Sequence, residues 1–234
     1  MIEFAIQYLP LYLQGALVGL GLTAAAMAGA LVIGVLVAIG RLSSNPVLKY
    51  LTLAYVAVFR AVPPLVLLYI VYFGIPAWAM ASESPALIAL FSPLDNRFIA
   101  ATLALAVNAG AYVAEIIRAS ILSLPADQME AARSIGMTYP KAMRRIILPQ
   151  AFRIAFPPLC SEFIIILKGT SLASVIGVTE LMRNAQMIAS STFRNLDAYV
   201  LAALVYVVLV IVLQFITVKI EARMNRAMGI RSGR

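Results

Sequence analysis

The sequence predicts an all-α protein that crosses a lipid bilayer five times, and three observations carry the prediction. Of its 234 residues, 63% are hydrophobic and 12% charged, with a mean hydropathy of +0.96, whereas soluble domains carry about 25% charged residues. The apolar residues come in five long blocks rather than in the short periodic runs of a soluble core. Lysines and arginines gather in alternate connections between those blocks.

The first span runs from Gly15 to Gly40, with Thr23 as its polar side chain. At about 1.5 Å per residue it exceeds the roughly 30 Å hydrocarbon core. It reads as a span rather than a signal peptide, because the flank before it carries Glu3 and neither Lys nor Arg. The second, Leu51 to Ile75, is interrupted by Arg60 and by Pro63-Pro64, which remove two backbone donors. The third, Phe98 to Ile117, contains Asn108 and Glu115. The fourth, Ile154 to Leu167, is short and irregular, with Pro157, Pro158 and Glu162 inside it. The fifth, Ala198 to Val218, is interrupted chiefly by Gln214 and Thr217.

Arg41 and Lys49 follow span one; Arg118, Arg133, Lys141, Arg144, Arg145 and Arg153 lie between spans three and four; Lys219, Arg223, Arg226, Arg231 and Arg234 follow span five. These are 13 of the 18 basic residues, and they put the N-terminus outside and the C-terminus in the cytoplasm. The net charge of +8 therefore reads as topology and not as nucleic-acid binding. The composition also narrows the chemistry. With no histidine and a single cysteine, Cys160, the chain lacks the commonest general base and any cysteine-based metal site, which weakens a hydrolase or metalloenzyme reading. Residues 1–234 form a single transmembrane domain with no soluble domain or linker.

The connection from Leu124 to Pro149 is long enough to carry structure of its own, and it reads as two short helices. Asp127, with Glu130 three residues on, suits an N-terminal capping box, and Gly136 suits a left-handed stop. Thr138 and Pro140 open a second helix that Pro149 ends. Such a pair either docks in a partner's groove or rests on anionic lipid.

Glu130-Ala131-Ala132, Gly136 and Ile147-Leu148-Pro149 together resemble the EAA loop of bacterial ABC-importer permeases, the segment that couples to the ATPase. Phe59-Arg60-Ala61-Val62-Pro63, Ala111 to Arg118, Leu148 to Ala151, Pro157-Pro158 and Lys168 to Leu172 resemble the polar amino acid uptake branch, of the histidine, glutamine and cystine type. Ala61, Asp127 and Gly169 depart from that pattern. The resemblance implies a MetI-like fold in the bacterial inner membrane, a coupling loop over about residues 119–149, and coupling residues Glu130, Ala131, Ala132 and Gly136. It also implies a second permease subunit, cytoplasmic ATPase subunits that hold ATP and magnesium, an extracytoplasmic substrate-binding protein and an amino acid substrate. The chain itself lacks the GxxxxGK[ST] phosphate loop, so it is expected to be no enzyme and to hold no cofactor. The alternative is a stand-alone secondary transporter or channel, for which neither an inverted repeat nor a polar relay across several spans is clear.

Glu162 is the leading substrate candidate, because a carboxylate at mid-span costs roughly 2.5 to 3.5 kcal/mol on insertion scales and needs a partner or a watery cavity. Lys168 lies on the wrong side of the helix to pair with it. Ser161, Asn108, Thr170 and Ser171 complete the candidate substrate set, with Asn108 open to a second reading as interhelical glue. Arg60 either lines the pathway or anchors the proline break. Glu115 is expected to pair with Arg118 at i, i+3.

Overall fold

The computed structural model describes residues 2–226, and among them it contains helices and no strand. Five stretches are long and apolar enough to cross a membrane: Ile2–Leu42, Pro64–Ala81, Arg97–Leu122, Tyr139–Ile176 and Asn195–Met224. Arg231 and Arg234, counted above on the cytoplasmic side, lie outside the described residues.

Helix α1 (Ile2–Leu42) begins well before Gly15. Its first turns lack the apolar continuity that marks a span, but packing holds them. Phe4 and Tyr12 are buried against residues 181–205, and the Tyr12 hydroxyl donates to the Ala198 carbonyl at 2.9 Å. The second block divides where its prolines fall. Helix α2 (Pro46–Ala61) is capped by Asn45, whose side chain accepts from the Val47 amide at 2.9 Å. The chain is extended at Val62 and resumes as α3 (Pro64–Tyr69), a wide turn and α4 (Ile75–Ala81). The second span is thus Pro64–Ala81, displaced toward the C-terminus from the expected Leu51 to Ile75, with α2 a separate helix before it. A short α5 (Pro85–Phe91) leads to α6 (Arg97–Leu122), which is capped by Asn96.

After α7 (Asp127–Ser134), the fourth span departs most from expectation. Pro149 does not stop the second loop helix: α8 (Tyr139–Ala142) passes through a wide turn at Met143–Ile147 into α9 (Leu148–Gly169) and a 3-10 segment, Thr170–Ile176. The wide turn absorbs the amide that Pro149 lacks, and the helix continues through Pro157 and Pro158. A further helix, α10 (Leu181–Thr192), precedes α11 (Asn195–Arg226).

The core lies between α1 and α6, which approach closely through small residues. A Cβ placed on Gly29 would come within 2.9 Å of the Ala106 Cβ, and one on Gly34 would collide with Val113. Because residue order rises along both helices at these contacts, α1 and α6 run parallel. Arg41 at the end of α1 ion-pairs with Glu115 at 3.2 Å, and Glu115 also takes Arg118 at 2.9 Å, the i, i+3 partner that the spacing predicts.

Candidate functional site

The loop helix α7 projects its chemistry outward. Ala132 is buried and seats the helix on the bundle, whereas Glu130, Ala131 and Arg133 are exposed. Its C-terminus is closed by two reversed hydrogen bonds, from the Gly136 amide to the Arg133 carbonyl at 3.0 Å and from the Met137 amide to the Ala132 carbonyl at 3.1 Å. Gly136 is left-handed at φ +83° with open space around its Cα, so the turn needs glycine for its backbone and not for room. The predicted capping box is absent. Asp127 is the first helical residue, Ala126 occupies the cap position, and no side chain bonds the first amides. The two acids instead sit in the first turn, where the helix dipole favours them. Gln150 of α9 donates to the Gln128 Oε1 of α7 at 2.8 Å and to the Ile146 carbonyl at 2.9 Å. This strut ties the loop to the fourth span. Its residues are visible in the sequence, but their pairing depends on the wide turn before Leu148.

Glu162 faces the bundle at 6% exposure, flanked by Leu159, Phe163 and Ile166 of the main apolar cluster. Among the described residues it has neither an ion-pair nor a hydrogen-bond partner, and Lys168 is exposed. Ser161, by contrast, faces outward and donates to the Pro157 carbonyl. Thr170 is buried and donates to the Leu167 carbonyl at 2.7 Å, and Ser171 donates to the Lys168 carbonyl at 2.8 Å. These three hydroxyls therefore close local helix turns, while Glu162 keeps its carboxylate free.

Asn108 reaches across to the second block, where its Nδ2 donates to the Phe59 carbonyl at 2.8 Å. Arg60 is exposed, and its guanidinium lies over the Tyr112 ring at 5.1 Å. Leu105 packs beside Gly169, at 3.7 Å from where a Cβ would sit. Tyr112 and Glu162 lie two turns from that contact, about 10 Å along antiparallel helices, so Arg60 and Glu162 sit at similar depth.

One buried acid escaped the sequence reading. Glu180 is fully buried and caps α10, accepting from the Met182 and Arg183 amides at 2.8 Å each, with the Tyr206 hydroxyl donating to it at 3.2 Å. Burial pushes its carboxyl above the usual range, opposed by those three donors. Next to it, Asn184 donates to the Leu11 carbonyl at 2.7 Å, and Gly15 leaves no room for a Cβ against Leu181. The signal available was a Glu one residue before an amphipathic dozen, obscured because glutamate is an uncommon cap.

Residues 30–226 match the family described as the binding-protein-dependent transport system inner membrane component. Similar curated proteins include the probable amino-acid ABC transporter permease PatM of Vibrio harveyi, 41% identical over 84% of both chains. The L-cystine permease TcyB of Bacillus subtilis is 40% identical over 84% of this chain and 79% of its own. The glutamine permease GlnP of Escherichia coli is 35% identical over 93% and 94%. Among solved structures, an amino acid ABC transporter crystallised with histidines superposes with a TM-score of 0.84 at 35% identity, covering 95% of this chain and 98% of that one. The inward-facing MetNI methionine transporter, at 0.73 and 20% identity over 93% and 98%, shares the fold.

Proposed function

Since this chain belongs to the family of inner-membrane components of binding-protein-dependent transport systems, we propose that it carries basic amino acids through a pathway lined by Glu162. It is the permease subunit of an amino-acid ABC importer. The observation that carries the substrate reading is the carboxylate of Glu162, which has no partner among the described residues and is sheltered among apolar side chains at mid-span. Relatives are named for glutamine and cystine, both zwitterions, and a cationic side chain would add a charge that this acid can neutralise. Asn108, Ser161, Thr170 and Ser171 are the other polar candidates for the path. All four already hold backbone carbonyls, which leaves Glu162 as the main contact.

In this reading two permease subunits, two cytoplasmic ATPase subunits with ATP and magnesium, and an extracytoplasmic binding protein form the working unit. The exposed face of α7, with Glu130 and Ala131, docks on the ATPase. ATPase closure pushes α7, and the Gln128 to Gln150 strut passes the displacement to the span that bears Glu162. The N-terminus stands outside and Arg223 and Arg226 lie in the cytoplasm.

The test is to purify tagged chain from membranes, identify copurifying subunits, and reconstitute the assembly with its binding protein. The expected result is ATPase activity stimulated by arginine or lysine above that by glutamine. Uptake by the chain alone, driven by an ion gradient and without any ATPase, would refute the importer reading in favour of a secondary transporter.

A further inference from the structure

The break between α2 and α3 is built from a matched set of groups. In a continuous helix the amides of residues 63 and 64 would bond the carbonyls of Phe59 and Arg60. Proline at both positions removes those donors. The Val62 amide still reaches the Val58 carbonyl at 2.9 Å, so of the four carbonyls that the helix end leaves without a helical donor, the first two are those of Phe59 and Arg60. Both are met from α6, one helical turn apart. The Asn108 Nδ2 donates to Phe59 at 2.8 Å, and the Tyr112 hydroxyl reaches Arg60 at 3.5 Å while its ring lies under the Arg60 guanidinium.

We propose that Asn108 is a positioning residue of the transport cycle: its amide replaces the donor that Pro63 removes, and so fixes the angle at which α2 carries Arg60 onto Tyr112. Asn108 thus acts on substrate movement through the backbone of the second block and not by touching the amino acid. The inference holds whichever amino acid is carried and does not depend on Glu162. Arg60 is an exposed cation beside the break, so its placement belongs either to the water-lined path or to a facing subunit, and each needs a fixed α2 angle.

The test is a cycle of Asn108→Ala, Pro63→Ala and the double variant in the reconstituted assembly, with labelled arginine and glutamine as probes. An unsatisfied buried acceptor shifts a conformational equilibrium by at least about fivefold, so Asn108→Ala is expected to lower maximal uptake by that factor with KM unchanged. Alanine at position 63 restores an amide and lifts the constraint that holds Val62 extended, so the helix can close onto the Phe59 carbonyl, and in that background Asn108→Ala should cost less than about twofold. If Asn108→Ala fails to assemble, the comparison is made in the Pro63→Ala background, where uptake by the double variant within about twofold of Pro63→Ala alone supports the proposal and a larger loss overturns it. A raised KM for either amino acid with no relief from Pro63→Ala makes Asn108 a substrate ligand and overturns the proposal. Unchanged uptake by Asn108→Ala overturns it too.

Discussion

At the scale of single residues, the informative contrast is between Glu162, Glu115 and Glu180. All three are acids among apolar helices, and each resolves differently. Glu115 is ion-paired by Arg41 and Arg118, and Glu180 accepts from two amides and a tyrosine hydroxyl, whereas Glu162 has no such partner among the described residues. For the first, half of the answer was legible, because Arg118 lies three residues on. Arg41 was not, because the pair forms only when α1 and α6 align. Glu162→Gln is therefore expected to reduce arginine and lysine uptake by about two to nearly four powers of ten, from the roughly 3 to 5 kcal/mol lost when one partner of a buried charge pair is removed. Glutamine uptake should fall far less. Uptake of both classes measured beside expression and thermal stability checks this, and a folded variant that carries arginine normally would show that Glu162 is no ligand.

At the scale of elements, α7 is short, and its fixed point is the left-handed turn at Gly136. Aspartate there adds backbone strain of about 1 kcal/mol and sets a negative charge at a helix C-terminus, where the dipole opposes it. Glu130→Lys reverses charge in the first turn. Both variants are expected to insert and assemble but to lose ATPase stimulation by substrate; normal stimulation in both would remove α7 from the coupling path. The stop at Gly136 was legible because few residues tolerate that conformation. The start was misread: Asp127 entered the helix instead of capping it, and Pro149 was absorbed by a wide turn instead of ending one. Both errors share a cause. Local rules score one turn at a time: in the first case the helix starts one residue early and takes Asp127 into its first turn, and in the second a span packed on α6 gains more from continuing than it loses at one missing amide.

At the scale of the whole molecule, the count of five spans was readable from composition, and the lengths of α1 and the fourth span were not, because tertiary contacts extend both. The proposed orientation is checked by single cysteines in a chain whose Cys160 has been replaced by serine: Ser84→Cys should react with an impermeant thiol reagent from outside the cell, and exposed Ser134→Cys should not. Reversed labelling would overturn the orientation and the docking of α7 with it. The parallel pairing of α1 with α6 also has a consequence in time. A helix that ends at Leu42 waits for a partner that is complete only at Leu122, a delay on the order of ten seconds at ordinary rates of synthesis. Through that interval Gly29 and Gly34 have no α6 to pack against, and Arg41 has no Glu115 to pair with. The same arginine that later closes an ion pair is, during biosynthesis, a bare positive charge at the end of the first span, free to fix the sidedness of everything made after it.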